Sequence, residues 1–338
     1  MPDEEFATYR EIKSQTQAWI QALDLTRATQ LPKAEDYEQV IFTGCGSTYY
    51  LSLAAAALYQ QLTGRVARAV PGGELILNSD IILSNHKILL VAISRSGTTT
   101  ETVKAVEKFK AGKRGEVFVI SNYQEALSFL ADASILIPEG QEGSVAQTRS
   151  FASMYVAATG FAARMAGRND LLDSMSSLPE TGERIIKDFE QAARQIGENL
   201  NFDRFYFLGS GILYGLACEV NLKMKEMTLT HSEPFHFLEF RHGPMSMVNA
   251  KAVVVGLVSE SNFNHENAVL NEMRALGGKT IGVGNSGVDI SFYSGIPESV
   301  RGVLYLPVLQ LMAFYRSLAK GLNPDRPTNL VAVIKLNL

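Results

Sequence analysis

The residues best suited to acid–base chemistry are concentrated between Cys218 and Pro244. Glu219, Lys223 and Glu226 are spaced i, i+4 and i+7, which places them on one line along a helix. Three of the five histidines of the chain fall in the same segment, namely His231, His236 and His242. Carboxylates and imidazoles held close together are groups that take and return protons in enzymes. The segment is therefore the first candidate for a catalytic site.

This Glu–Lys–Glu ladder also has a simpler interpretation, as a solvated helix face with i,i+4 ion pairs. The neighbouring histidines argue for a site instead. Gly243 and Pro244 directly follow His242, and such a pair fixes a local bend that holds the imidazole in one orientation.

A helix with a buried face must position the ladder. Five apolar residues fall within about 60° of Val220 at helical spacing and predict a core-facing stripe. They are Leu213, Leu216, Ala217, Met224 and Met227. The ladder lies along the flank of this stripe, so we expect the helix to border a cleft.

A glycine-rich turn lies between a predicted strand at residues 39–43 and a predicted helix at residues 51–62. Its sequence is Gly44-Cys-Gly46-Ser47-Thr48. Backbone N–H groups at a helix start face an anion, and hydroxyls add donors, so Gly46, Ser47 and Thr48 are candidate phosphate-binding residues. The alternative is a plain strand–helix turn that needs glycine for its geometry.

A second turn of this kind follows the apolar strand predicted at residues 87–93. It contains five hydroxyls around one glycine, in the sequence Ser94-Arg-Ser96-Gly-Thr-Thr99-Thr-Glu. Serine and threonine are ordinary N-caps, but a cap needs only one of them. We interpret the loop as a phosphate site.

Alternating strands and helices predict an α/β fold with doubly wound parallel sheets. Residues 204–211 repeat the opening strand and Gly-x-Gly turn, 165 residues after Gly44, so two copies of one α/β unit are expected. The predicted organisation is an N-terminal helix (1–30), a first domain (31–170), a second domain (180–322) and a tail (323–338). A linker is predicted at residues 169–179. Strands of the second copy are predicted at residues 252–258, 280–283 and 303–306.

Composition narrows the partners and the compartment. The 338 residues are 46% hydrophobic with a net charge of −4, which argues against nucleic acid as a partner. Cys45 and Cys218 give no disulfide framework, which fits a reducing compartment. We find no signal peptide and no apolar run of membrane-spanning length, so a soluble cytoplasmic protein without a membrane partner is expected.

Metal and nucleotide sites receive little support. The spacing His-x4-His-x5-His at 231–242 matches no familiar zinc ligand pattern, so no metal is expected. A dinucleotide site needs Gly-x-Gly-x-x-Gly, but Tyr49 stands at the third glycine position, and Arg68 lies where an acidic residue is needed.

Taken together, four motifs in order resemble the sugar isomerase (SIS) family. They are Gly-x-Gly-Ser-Thr at 44–48, Ser-x-Ser-Gly-x-Thr at 94–99, Glu-x3-Lys-x2-Glu at 219–226 and His-Gly-Pro at 242–244. The family includes the isomerase half of glutamine–fructose-6-phosphate aminotransferase and stand-alone amino-sugar phosphate deaminases and isomerases. The resemblance implies two flavodoxin-like SIS domains and a homodimer with sites near the subunit interface.

The resemblance also implies roles for residues and a reaction without a cofactor. Ser47, Thr48, Ser94, Ser96 and Thr99 would bind the sugar phosphate, and Val145, Ala146 and Gln147 would line the sugar. Glu226 would move a proton between C1 and C2, supported by Lys223 and Glu219. His242 would open the sugar ring, either in its own subunit or in the neighbouring one.

Two departures from the family pattern bear on the chemistry. Ala332 stands where the family tail has a lysine able to form a Schiff base, which disfavours synthase-type aminotransfer. Arg95 replaces a small polar residue and is expected to reach the phosphate. The expected function is deamination with isomerisation of an amino-sugar or hexose 6-phosphate, for example glucosamine 6-phosphate. The alternatives are a ketosamine-6-phosphate deglycase and a sugar-phosphate sensor without catalysis.

Overall fold

A computed structural model describes residues 2–336 and shows strands and helices alternating along both halves of the chain. Met1, Asn337 and Leu338, which belong to the predicted N-terminal segment and tail, lie outside these residues. The elements of the first half are α1 (Ala7–Ala28), β1 (Gln39–Gly44), α2 (Ser47–Thr63), β2 (Ala67–Pro71), α3 (Gly72–Leu77), α4 (Ser79–Ile82), β3 (Ile88–Ser94), α5 (Thr100–Ala111), β4 (Gly115–Ser121), α6 (Ala126–Leu130), β5 (Ala133–Leu136) and α7 (Arg149–Met165).

The second half repeats the alternation after two further helices. Its elements are α8 (Asn169–Ser174), α9 (Leu178–Gly197), β6 (Arg204–Leu208), α10 (Ile212–Thr228), β7 (His231–Phe235), β8 (Ala252–Leu257), α11 (Phe263–Ala275), β9 (Lys279–Gly284), β10 (Ile290–Ser291) and α12 (Leu306–Ala319).

Each half builds one parallel sheet of five strands with the same strand order. The first sheet runs β2-β1-β3-β4-β5 and the second runs β7-β6-β8-β9-β10, so both have the order 2-1-3-4-5 of a flavodoxin-like sheet. All seven residues of β3 and all six of β8 are buried, as expected for central strands covered by helices on both faces. The predicted α/β class with two similar doubly wound sheets is confirmed.

The described chain divides into two compact units, each built on one sheet. The first-sheet unit comprises residues 14–142 and 147–179 and the tail from Val331. The second-sheet unit comprises the residues up to Lys13, Gly143–Ala146 and Glu180–Leu330. The domain boundaries predicted above remain predictions.

Two predictions of local structure are wrong. Residues 303–306 are not a strand, because Gly302–Tyr305 is a 3-10 turn that leads into α12 with Pro307 in its first turn. A short apolar run does not distinguish a buried strand from a buried helix. The predicted linker at 169–179 is helical instead, and Leu171, Leu172 and Met175 bury the apolar side chains that hold it against the fold.

One segment meets the length and hydropathy of a membrane span, contrary to the prediction that no apolar run does. Gly302–Ala319 has a mean hydropathy of 1.2 over 18 residues, and 89% of it is buried inside the fold. It corresponds to α12 and the turn before it, which pack on α10 as a core helix.

Candidate functional site

The first glycine-rich turn joins β1 to α2 and needs both of its glycines. Gly46 has φ +57°, a conformation that side chains disfavour. At Gly44 a Cβ would lie 2.7 Å from the carbonyl carbon of Thr48, too close for any side chain. The N–H of Cys45 donates to Thr48 Oγ1 at 2.9 Å. The hydroxyl of Thr48 therefore holds the turn itself, while Ser47 occupies the first position of α2.

The second turn joins β3 to α5, and part of its hydroxyl set also folds the loop. Ser94 Oγ accepts the N–H of Gly97 at 3.2 Å, and Ser96 Oγ accepts the N–H of Thr98 at 3.2 Å. Within residues 2–336, the N–H of Ser96 and the hydroxyl of Thr99 have no hydrogen-bond partner. These two groups are available to an anion.

Both turns belong to the first-sheet unit and leave neighbouring strands. β1 and β3 pair in parallel, from Gln39 opposite Ile88 to Thr43 opposite Ala92. Their carboxyl ends therefore lie side by side, where parallel α/β sheets bind ligands. The fold brings the predicted phosphate-binding residues of the two turns to one edge of the sheet.

Arg95 is tied to other parts of the first-sheet unit. Its side chain is 7% exposed, and Nη1 lies 3.6 Å from the buried carboxylate of Glu142. Nη2 donates to the carbonyl of Ala332 at 2.7 Å. The residue expected to reach the phosphate thus connects the second turn to the tail.

Glu142 was not identified from the sequence, although it lies in the polar loop before α7. Its carboxylate accepts the N–H groups of Thr148 and Ser150 at 3.1 and 3.3 Å and the hydroxyls of the same two residues. An acidic side chain bound to the first N–H groups of a helix stabilises that helix. Its only sequence signal is an acidic residue a few positions before a helix start.

The segment predicted to line the sugar is held by two acidic residues far away in sequence. Glu11 of α1 accepts the N–H of Gly143 at 2.6 Å and the hydroxyl of Ser144 at 2.5 Å. The carbonyl of Asp325 accepts the N–H of Val145 at 2.9 Å. These contacts fix the backbone of residues 143–146 within the second-sheet unit.

Asp325 also stabilises the start of α1. Its carboxylate accepts the N–H groups of Ala7 and Thr8 at 2.9 and 2.7 Å. Sequence reasoning missed both Glu11 and Asp325, because each is a single acidic residue whose partners lie more than a hundred positions away.

The other two residues of the predicted sugar-lining segment differ in their surroundings. Ala146 is buried, with 2% of its surface exposed. Gln147 belongs to the first-sheet unit, and its Oε1 is buried with no hydrogen-bond donor among residues 2–336. A buried amide oxygen without a donor is costly, and a ligand hydroxyl would satisfy it.

The Glu219–Lys223–Glu226 ladder lies on α10 in the second-sheet unit. Lys223 Nζ is 2.6 Å from Glu226 Oε2 and 3.4 Å from Glu219 Oε1. The side chains of Glu219 and Lys223 are each 1% exposed, so the interpretation as a solvated face is wrong. Glu226 is 21% exposed and is the member of the ladder that a substrate can reach.

The three histidines of the same unit have different surroundings. His242 is exposed and is followed by Gly243 at φ +119° and by Pro244, which starts a 3-10 turn, so the predicted bend is present. His236 stacks on Tyr214 with ring centroids 3.8 Å apart, and burial lowers the pKa of its imidazole. In the described range 2–336, no group of three or more metal-ligating side chains is found.

The sequence matches the SIS-domain family over residues 35–164 and 201–290. Two curated relatives are isomerizing glutamine–fructose-6-phosphate aminotransferases. That of Pyrococcus horikoshii is 31% identical over 313 residues, and that of Methanothermobacter thermautotrophicus is 27% identical over 311 residues. The alignments cover 87% and 88% of this chain but 51% and 52% of the relatives, so the chain spans about half of their length.

Three solved structures share the fold. The C-terminal domain of the Francisella tularensis glucosamine-fructose-6-phosphate aminotransferase gives a TM-score of 0.84 at 21% identity, covering 95% of this chain and 98% of that one. Glucosamine-6-phosphate deaminase of Thermotoga maritima gives 0.81 at 24% identity, covering 98% and 100%. Tagatose-6-phosphate ketose/aldose isomerase of Escherichia coli gives 0.83 at 24% identity, covering 96% and 95%.

The family match extends over more than half of the residues and includes both glycine-rich turns, the loop after β3 and the ladder on α10. Two sheets of one strand order agree with it. The chain belongs to the SIS-domain family.

Proposed function

We propose that this protein is a phosphosugar isomerase and deaminase that acts on an amino-sugar or hexose 6-phosphate, with glucosamine 6-phosphate as the first candidate. The observation that carries the proposal is the buried ladder on α10, in which Glu226 alone is accessible and is held by Lys223 at 2.6 Å. Burying three charges is expensive, and a purely structural helix gains little from it. A carboxylate fixed by a buried lysine is suited to proton transfer at carbon.

The phosphate anchor is assigned to the two turns of the first sheet. The N–H of Ser96 and the hydroxyl of Thr99 supply donors without a partner in residues 2–336, at the start of the twelve-residue helix α5. The positive end of the helix dipole adds to the attraction for an anion. Gln147 Oε1 is assigned to a sugar hydroxyl, because the fold leaves this buried acceptor unsatisfied.

The chemistry follows from these assignments. His242 gives a proton to the ring oxygen as the sugar opens. Glu226 then takes the proton at C2 of the open-chain amino aldose, which forms a C1–C2 double bond carrying the hydroxyl and the amine. Return of the proton to C1 leaves an imine at C2, and water replaces the nitrogen to release ammonia and the ketose phosphate. Without an amine, the same transfer interconverts aldose and ketose.

The relatives and the tail support this choice of substrate. The printed names of the similar proteins include a glucosamine-6-phosphate deaminase and a tagatose-6-phosphate isomerase. Ala332 provides no amine, and its carbonyl is bound by Arg95. A substrate that brings its own nitrogen fits this chain better than aminotransfer does. The homodimer, the cytoplasmic location and the roles of the individual residues remain predictions.

The test is an ammonia-release assay with glucosamine 6-phosphate, galactosamine 6-phosphate and a fructosamine-type 6-phosphate. The same sugars without phosphate serve as controls. Ammonia and a ketose phosphate from a phosphorylated amino sugar are expected. Ketose–aldose conversion of hexose phosphates without ammonia would leave an isomerase, and release of a different amine would favour a deglycase. No turnover and no rise in melting temperature with any sugar phosphate would overturn the proposal.

A further inference from the structure

The loop after β8 occupies the same place in the second sheet as the phosphate loop after β3 does in the first. Ser259-Glu-Ser-Asn262 lies 165 residues after Ser94-Arg-Ser-Gly97, the same offset that relates the two glycine-rich turns. Each loop follows the central strand of its sheet and leads into a helix, α5 or the thirteen-residue α11. The second half therefore contains the backbone of an anion-binding loop.

The donors of this second loop are occupied by a carboxylate of the same chain. Glu298 Oε1 accepts the N–H of Glu260 at 2.5 Å, and its Oε2 accepts the N–H of Ser261 at 3.2 Å. The two oxygens thus bind successive N–H groups, as phosphate oxygens do in backbone nests. In the first loop, the N–H equivalent to that of Ser261 belongs to Ser96 and has no acceptor within residues 2–336.

A buried cation lies at the same place. The side chain of Arg301 is 2% exposed, and its Nη2 lies 2.7 Å from Glu260 Oε2. Its Nε has no hydrogen-bond partner in the described part of the chain. A buried guanidinium with an unsatisfied donor is a group that oxyanions bind. The loop therefore combines backbone donors with a fixed positive charge.

Space for a ligand adjoins the loop. A cavity of about 210 Å³ is lined by Ser259 and Glu260 and by Asn285 and Gly287, which follow β9. The cavity opens at the carboxyl ends of β8 and β9, the usual ligand-binding edge of a parallel sheet.

We infer that the second half holds a second oxyanion site whose ligand is the side chain of Glu298, so that the chain keeps only its first loop open for a phosphate. The carboxylate of Glu298 takes the place of an external anion. Replacing Glu298 by a small neutral residue would open the loop to small oxyanions such as acetate or inorganic phosphate. This inference is independent of the proposed reaction, because it concerns an anion site and not turnover.

The test compares melting temperatures of the wild type and Glu298→Ala in chloride, acetate and phosphate at equal ionic strength. Loss of the carboxylate is expected to lower the melting temperature in chloride by about 2–4 °C, the usual effect of a lost helix-start contact. Acetate and phosphate are expected to restore most of this loss. They should stabilise Glu298→Ala by more than they stabilise the wild type, in which the first loop is the open one.

Two matched variants separate a filled site from general effects of anions. Glu298→Gln keeps the volume and one acceptor oxygen, so it should respond to acetate no more than the wild type. Glu272→Ala removes an exposed glutamate that binds Arg241 at 2.6 Å and no loop N–H, so it should respond like the wild type. An equal anion response of Glu298→Ala and Glu272→Ala would overturn the inference.

Refolding provides the same test if Glu298→Ala does not stay folded in chloride. Recovery of folded chain in phosphate or acetate, but not in chloride, is then expected. Equal failure in all three salts would show that Glu298 does not occupy an anion site, and would also overturn the inference.

Discussion

The loops after β3 and β8 share a position in the fold but carry opposite charges. The first presents Arg95 and a set of hydroxyls, whereas the second presents Glu260 and receives the carboxylate of Glu298. Both place successive backbone N–H groups at the start of a helix. The difference teaches that the backbone makes an anion site in each half, and the side chains decide whether its ligand comes from solution or from the chain.

The glycine-rich turns before these loops show how similar the two backbones are. Gly46 has φ 57° and ψ −124°, and Gly211 has φ 56° and ψ −124°. At Gly44 and Gly209 a Cβ would collide with the following helix. The two halves therefore differ in chemistry on a common scaffold, with phosphate donors assigned to the first and proton transfer to the second.

The largest expected effect is at Glu226, the group that gives the second half its proposed chemistry. Glu226→Gln keeps the shape but cannot take a proton, so turnover should fall by about 10²–10⁴-fold. Sugar-phosphate binding, measured by calorimetry, should change little. Glu272→Gln is the control and should keep full activity. Turnover near the wild-type rate in Glu226→Gln would remove the base from the second half.

Lys223 is expected to be needed for stability as well as activity. Lys223→Met leaves the carboxylates of Glu219 and Glu226 without their cation, and breaking a buried ion pair on one side costs about 3–5 kcal/mol. The free energy of unfolding, measured with urea, should fall accordingly. The double variant Glu219→Gln/Lys223→Met should regain part of this loss. If the single variant is as stable as the wild type, the ladder is not electrostatically coupled.

Equivalent serines of the two loops provide a direct test of the comparison. Ser96→Ala removes a hydroxyl that orders the open loop, and KM for the sugar phosphate should rise by up to about tenfold, the value of one hydrogen bond. Ser261→Ala changes the equivalent residue of the loop filled by Glu298, so KM should stay unchanged. Equal increases in both variants would show that both loops bind substrate.

The smallest expected effect is a pH dependence specific to the second half. His236 follows β7, at the place where Pro71 ends β2 in the first half. Burial lowers the pKa of His236 in the folded protein below its unfolded value, so protonation favours the unfolded state. The stabilisation is present above the unfolded pKa, near 6.5, and is lost as the pH falls through the folded pKa.

The measurement is the melting temperature of the wild type and His236→Phe between pH 7.5 and 5. Phenylalanine keeps the stacking on Tyr214 and cannot be protonated, so part of the loss at low pH should disappear in the variant. Identical pH profiles would show that His236 does not contribute to the acid sensitivity.

The sequence predicted those parts of the molecule that depend on neighbouring residues. The glycines of both turns, the buried strand β3 and the apolar stripe of α10 are each visible within a short window, because local geometry and periodicity determine them. The ladder was located correctly, but its burial was not, since the spacing of Glu219 and Lys223 fits a solvated face equally well.

What the sequence did not reveal depends on distant pairings. Glu11, Glu142 and Glu298 each bind backbone N–H groups, and no residue type at a fixed spacing announces such a partner. The loop at residues 259–262 was missed as an anion site because it lacks a run of hydroxyls. Residues 303–306 were misassigned because their helix is buried on all sides, which gives the same apolar run as a strand.

The bond between Asp325 and the first turn of α1 has a consequence for how the chain folds. The carboxylate and the N–H groups of Ala7 and Thr8 are separated by more than 300 residues. At the usual rate of protein synthesis, about 5–20 residues per second, α1 waits roughly 15–60 s for this partner. The first-sheet loops can form long before that time. The ribosome therefore delivers the phosphate-binding turns early, and the segment that Asp325 and Glu11 fix around Val145 is completed last.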